Sequence, residues 1–185
     1  TIRASRQNAA GARGHIIVGY SALATSRQIS EALDAFHRSV PGVQVEMHVM
    51  STDNMLKTLK SGVIDLGFLL SHPTVGAPGI DQMPVWRSRI GVVAPAGEAP
   101  ERVEDLTGVP FVMGLRENWR SWRALLDSAC DRARLSPVVV DEAWDVQVIL
   151  QRVAERRGVT LFPTSMADSL PAALELTPVE GLDAE

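Results

Sequence analysis

From Ser51 to Leu70 the chain reads STDNMLKTLKSGVIDLGFLL, and no other stretch restricts the fold as tightly. Ser51, Thr52, Asp53 and Asn54 all carry side-chain oxygens of the kind that cap a helix N-terminus. Met55, Leu56 and Leu59, three and four residues apart, share one face of the helix that follows, and Lys57 and Lys60 fall in its last turn, where the helix dipole favours cations. Gly62 can close that turn in a left-handed conformation. Val63 to Leu70 is then apolar apart from Asp65 and Gly67, which is the composition of a strand covered on both faces in a parallel sheet. A capped helix that stops at a glycine and feeds a buried strand predicts an α/β fold with crossover helices. Capping uses one or two of the four oxygens, so the remainder are open to another role.

The same rhythm extends in both directions. Upstream come a strand HIIVGYS, a helix from Gln28 to Arg38 with Ile29, Leu33 and Phe36 facing inward, and a strand VQVEMHVM. Downstream, a Gly/Pro-rich loop SHPTVGAPG leads to DQMPVWRSRIGVVAPAG, two extended pieces flanking Arg87 and Arg89 that suit a crossing between lobes. A second half follows: strand PFVMG, helix Trp119 to Arg134, strand PVVVDEA, helix Asp145 to Arg157, strand GVTLFP. Trp119, Trp122, Leu126, Ala129 and Ala133 mark the inward face of its long helix. The expected architecture is two α/β lobes, each a mostly parallel sheet with flanking helices, and a ligand cleft between them.

Composition removes several classes of function. The 185 residues carry 18 Lys and Arg against 22 Asp and Glu, a net charge of −4, which gives no basic field for a phosphate backbone. RENWRSWR, with its interleaved tryptophans, is therefore not a nucleic-acid surface; Trp119 and Trp122 fit the core stripe. The single cysteine, Cys130, reads as a small buried hydrophobe and permits a reducing cytoplasm. His15, His37, His48 and His72 lack metal-ligand spacing, and no nucleophile elbow or phosphate-binding glycine loop is present, so no metal, no cofactor and no catalytic constellation is expected. No apolar run spans a membrane.

In open parallel sheets ligands bind beyond the carboxyl ends of the strands, where helix N-termini point their free amides. The junctions Ser51–Asn54, Gly114–Ser121 and Asp141–Gln147 form such a rim, and the loop Ser21–Ser26 makes a further wall. Ser51 and Thr52 serve either as a cap and its solvated neighbour or as a cap and a ligand contact. Arg116, Arg120 and Arg123 are candidates to hold a carboxylate bidentately, although exposed helix arginines are usually solvated. Trp144 is either pocket wall or core.

The run VQVEMHVMSTDNMLKTLKSGVIDLGFLL resembles the signature segment of LysR-type transcriptional regulators, with its polar Ser/Thr junction, L..L..G and D.GF strand. GHIIVGY, VEDLTGVPFV and VQVILQRVAERRGVTLFPTS match further family segments in the same order, covering roughly Gly14 to Ser165. The sequence departs from the family in having Ile29 and Ser30 where Leu-Pro often opens the first helix, and Glu155 to Arg157 where a glycine pair commonly precedes the late strand.

The resemblance implies an effector-binding domain of two periplasmic-binding-protein-like (type 2) lobes. Residues 1–13 would end the linker helix, 14–87 and 166–185 form lobe I, and 88–165 form lobe II. It implies effector contacts at Ser21, Leu23 and Thr25, at Ser51 and Thr52, and at Gly114, Arg116, Trp144, Val146 and Phe162. The implied ligand is a small organic acid, amino acid or aromatic metabolite, sensed in the cytoplasm without catalysis. The implied partners are a second copy of the chain, with a tetramer for the full-length protein, and DNA only through an N-terminal helix-turn-helix. A free solute-binding protein for transport shares the architecture and is the competing reading.

Overall fold

The computed structural model describes residues 14–24, 27–70 and 78–182. The expected linker end, 1–13, and Thr25 lie outside the described residues. The chain divides into two units, Thr1–Val85 and Trp86–Glu185.

In the first unit, β1 (Gly14–Tyr20) lies between β2 (Val43–Val49) and β3 (Leu66–Phe68), parallel to both. Two helices make the crossovers, α1 (Arg27–Ser39) and α2 (Thr52–Ser61). Gly62 closes α2 at φ 71°, its amide donating to Leu59 O at 3.1 Å, as its position predicts. The D.GF pattern has a local cause. The Asp65 amide donates to Ile17 O at 2.8 Å and its carboxylate accepts the Ile17 amide at 2.9 Å, so this side chain locks the start of β3 to the central strand. A Cβ on Gly67 would stand 2.6 Å from Met55 Sδ, so the missing side chain lets the fully buried Met55 of α2 seat against the sheet. The strand is shorter than the apolar run 63–70, and Val63 and Leu66 are exposed in this chain.

The second unit holds β4 (Ile90–Pro95), β5 (Pro110–Gly114), α3 (Arg120–Ala133), β6 (Val138–Ala143), α4 (Val146–Ala154), β7 (Thr160–Pro163) and β8 (Leu174–Pro178). β5 and β6 are parallel, as a crossover through α3 requires. The strand order β7-β4-β8 is antiparallel, and backbone bonds of Val159 to Pro110 O and from Val112, both 2.9 Å, join it to β5. Val92, Val93, Phe111, Val112, Ile149, Val153 and Leu161 have no exposed surface and form its core.

Two sequence expectations are corrected here. Residues 166–182 do not return to the first lobe: β8 pairs with β4 along five residues, from Gly91↔Pro178 to Pro95↔Leu174, and the unit boundary falls at 85/86 rather than 87/88. Of the two extended pieces expected within 81–97, only β4 is a strand.

Candidate functional site

The carboxyl edge of the first unit's sheet is tied together by backbone bonds. Ser21 donates to Phe68 O at 2.9 Å and Met50 to Tyr20 O at 3.0 Å, which brings the ends of all three strands to one rim. Ser51 is the N-cap of α2: its φ/ψ of −67°/154° is extended, its Oγ accepts the Asn54 amide at 3.4 Å, and its carbonyl accepts the Met55 amide at 2.9 Å. Thr52 is the first helical residue and half-buried. Its amide has no carbonyl one turn back to reach, and no described residue bonds its hydroxyl. Asp53 places a negative charge in the same turn and partly complements the helix dipole. Leu23, only 2% exposed, packs into the core from the turn Ala22–Ala24, so the structure does not present its side chain at this rim.

In the second unit Gly114, Trp144 and Phe162 meet around a residue assigned only to the core from sequence, Trp119. Its ring stacks on Phe162 with centroids 6.1 Å apart and planes at 13°. Its Nε1 donates to Trp144 O at 2.8 Å, a carbonyl that also accepts from Asn118 Nδ2 at 3.3 Å. Gly114 lies under the ring, with a notional Cβ only 2.3 Å from Trp119 Cδ2. The Trp144 side chain itself is 60% exposed, so it is not core. Asp145 caps α4 by accepting the Gln147 amide at 2.7 Å, and Val146 is buried behind it.

Arg116 is not held out for a ligand. Asp127 of α3 takes its fork, with Nη1–Oδ2 2.5 Å and Nη2–Oδ1 3.2 Å, and this bonding raises the Arg116 pKa further above its ordinary value. Arg123, expected to be solvated, is 4% exposed; its Nη1 donates to Gly114 O and to Glu142 Oε1, both at 2.9 Å. The sequence did carry a signal for this, because Arg123 stands four residues after Trp119 and three before Leu126, on the inward stripe. Among the described residues no group of three or more His, Cys, Asp or Glu could hold a metal ion, and no helix is long and apolar enough to cross a membrane.

The sequence matches the family model of the LysR substrate binding domain over residues 9–185. The chain belongs to this family. Among curated relatives of this LysR substrate binding domain, the HTH-type transcriptional regulator AlsR of Bacillus subtilis (strain 168) is 23% identical over 169 residues, 89% of this chain and 55% of AlsR. The chain thus spans about half the length of that relative. Among solved structures, the LysR family transcriptional regulator CbnR is similar with a TM-score of 0.78 at 21% identity, over 95% of this chain and 63% of that one. The effector binding domain of QuiR in complex with shikimate gives a TM-score of 0.75 at 15% identity, over 91% of this chain and 82% of QuiR's. At these identities the likeness is one of fold, and it is the fold of LysR regulatory domains, α/β and periplasmic-binding-protein-like.

Proposed function

We propose that this chain is the effector-sensing part of a LysR-type transcriptional regulator. A small molecule binds at the carboxyl-end rim of the first unit, favours one arrangement of the domain over another, and through it alters how attached DNA-binding domains sit on their operator. It acts as a homodimer in the cytoplasm, it is not an enzyme, and DNA is reached only through the attached domains. The observation that carries this reading is the LysR family match along residues 9–185. At the rim, support comes from the division of labour at the β2–α2 junction, where Ser51 supplies the cap and the Thr52 hydroxyl is left for a ligand. The ligand class follows from that donor and from QuiR's shikimate: a small organic acid.

Thermal-shift screening of this chain against small carboxylic, amino and aromatic acids, shikimate among them, finds the effector, and calorimetry then compares variants. Thr52→Val weakens binding by about 1.5–3 kcal/mol, the worth of one hydrogen bond to a charged ligand. Ser51→Ala instead costs about 1 kcal/mol of stability. Unchanged affinity in Thr52→Val together with a lowered melting temperature would show that the oxygens are only redundant caps. A chain that no acid in the screen stabilises would sink the reading.

A further inference from the structure

We propose that Ser88 and Arg89 form, with Thr164 and Ser165, a clasp that fixes the chain where it enters the second unit and confines its pivot to the residues before Ser88. Residues 80–89 form neither helix nor strand, and 81–85 are all exposed. The unit boundary at 85/86 falls inside this stretch, with Trp86 and Arg87 between it and the clasp.

The clasp begins where the antiparallel ladder of β4 and β7 ends, at Ile90↔Pro163. A hydrogen-bonded pair in such a ladder exchanges two N–H···O bonds between backbones. At Arg89 and Thr164 the first is present, the Thr164 amide donating to Arg89 O at 2.9 Å. The second comes from a side chain, because the chain turns at Thr164 into the 3-10 helix Thr164–Ser169: the Arg89 amide donates to Thr164 Oγ1 at 3.1 Å. The Thr164 methyl supports that direction. A Cβ on Gly91 would stand 3.1 Å from Thr164 Cγ2, so the methyl packs over Gly91, and a branched side chain has few other rotamers.

Ser88 completes the clasp from outside the ladder. The first amides of a helix have no carbonyl one turn back, and the residue before this one, Pro163, has no side-chain oxygen to cap them. Ser88 Oγ accepts the Ser165 amide at 2.9 Å from 77 residues away and lies 3.2 Å from Thr164 Oγ1. The cap therefore exists only while the crossing chain lies here. Bending at Ser88 or Arg89 would break these bonds together, whereas bending before Ser88 leaves them whole. Phe162, stacked on Trp119, lies two residues before Thr164, so the clasp also ties the crossing to that hub. For its role in shifting between domain arrangements, though not for its geometry, the inference rests on the effector reading.

Nitrogen-15 relaxation and hydrogen exchange of the whole 185-residue chain test this without any ligand. Heteronuclear NOE values should be lowered from Met83 to Arg87 and reach those of β4 from Ser88 onward. Ser88→Ala removes the acceptor of the Ser165 amide, and Thr164→Val removes that of the Arg89 amide while keeping the methyl over Gly91. Each substitution should speed exchange at both amides, about fivefold or more, while Val92 and Val93 stay protected. An acid screen that finds no effector would sink the effector reading and leave these outcomes unchanged. The proposal is overturned if each variant speeds only the amide that lost its acceptor, or if the lowered NOE values of the parent are absent before Ser88 or run on through Arg89.

Discussion

Gly114→Ala places one methyl group where the second unit has no room for it. The new Cβ would lie 2.3, 2.4 and 2.8 Å from Trp119 Cδ2, Cγ and Cε3, where carbon contacts settle at about 3.5–4.0 Å. The indole must retreat by roughly an ångström, and its surroundings oppose that: the ring is 8% exposed, stacked on Phe162, and bonded through Nε1 to Trp144 O at 2.8 Å. Overpacking of a well-packed site costs about 1–3 kcal/mol, and the strained or broken hydrogen bond adds about 1 kcal/mol. The expected loss is therefore roughly 2–4 kcal/mol. All four tryptophans, Trp86, Trp119, Trp122 and Trp144, lie in the second unit, so urea unfolding followed by indole fluorescence reads that unit alone. The decisive experiment is a double-mutant cycle with Trp119→Ala. Once the ring is gone, Gly114→Ala should cost under about 1 kcal/mol, and the difference is the coupling energy. A cost below about 1 kcal/mol in the parent, or the same cost in both backgrounds, would refute the reasoning.

Three further outcomes are expected. Asp65→Ala leaves the Ile17 amide without the acceptor it has at 2.9 Å and costs about 1–2 kcal/mol, whereas Asp65→Asn keeps an acceptor and costs less; hydrogen exchange at Ile17 reads the difference. Arg156 follows α4 in a left-handed conformation, φ 58°, so Arg156→Gly removes backbone strain while giving up only a surface ion pair with Glu98. Its melting temperature should hold or rise, and a clear fall would contradict this. Burial, then Asp127 and Asp131, push the Cys130 thiol from 9.0 up to about 11, so iodoacetamide at pH 8 should not label the folded chain. Because the folded state holds that proton more tightly, stability should decline as pH rises from about 9 to about 11, and Cys130→Ala should flatten the decline in a pH series of urea melts.

The elements most legible in the sequence are those whose boundaries have local causes. Thr52 opens α2 and Gly62 ends it because a cap and a left-handed glycine act within one turn, and PFVMG is a strand over all five of its residues because its flanks break the pattern. Strand direction has no local cause. Ile90–Pro95 is apolar on both faces whether its neighbours run parallel or antiparallel, and the five residues of β8 are too few to show a period, so the antiparallel β7-β4-β8 order and the placement of 166–182 in the second unit were not readable. The same reasoning explains the runs judged buried on both faces. Val63 and Leu66 obey the composition of a covered strand, but cover is supplied by other elements and cannot be deduced from the strand.

The rims divide along a similar line. Ser51 is recognisable as a cap because the amide it bonds is three residues away; Trp119 is recognisable as buried but not as the hub of Gly114, Trp144 and Phe162, which requires three separate segments of the chain to be placed in space. The outcome bears on specificity. In the second unit Arg116 and the Trp144 carbonyl are internally committed: Arg116 bonds Asp127, and the carbonyl accepts two donors. In the first unit the Thr52 hydroxyl has no described partner. A site built to hydrogen-bond a ligand group rejects the analogue lacking it far more strongly than an apolar wall rejects a change of size. Discrimination among acids of different hydroxylation should therefore reside at Thr52, and Thr52→Val should erase the preference for a hydroxylated acid over its deoxy analogue. If Thr52→Val leaves that preference as large as in the parent chain, this assignment is wrong.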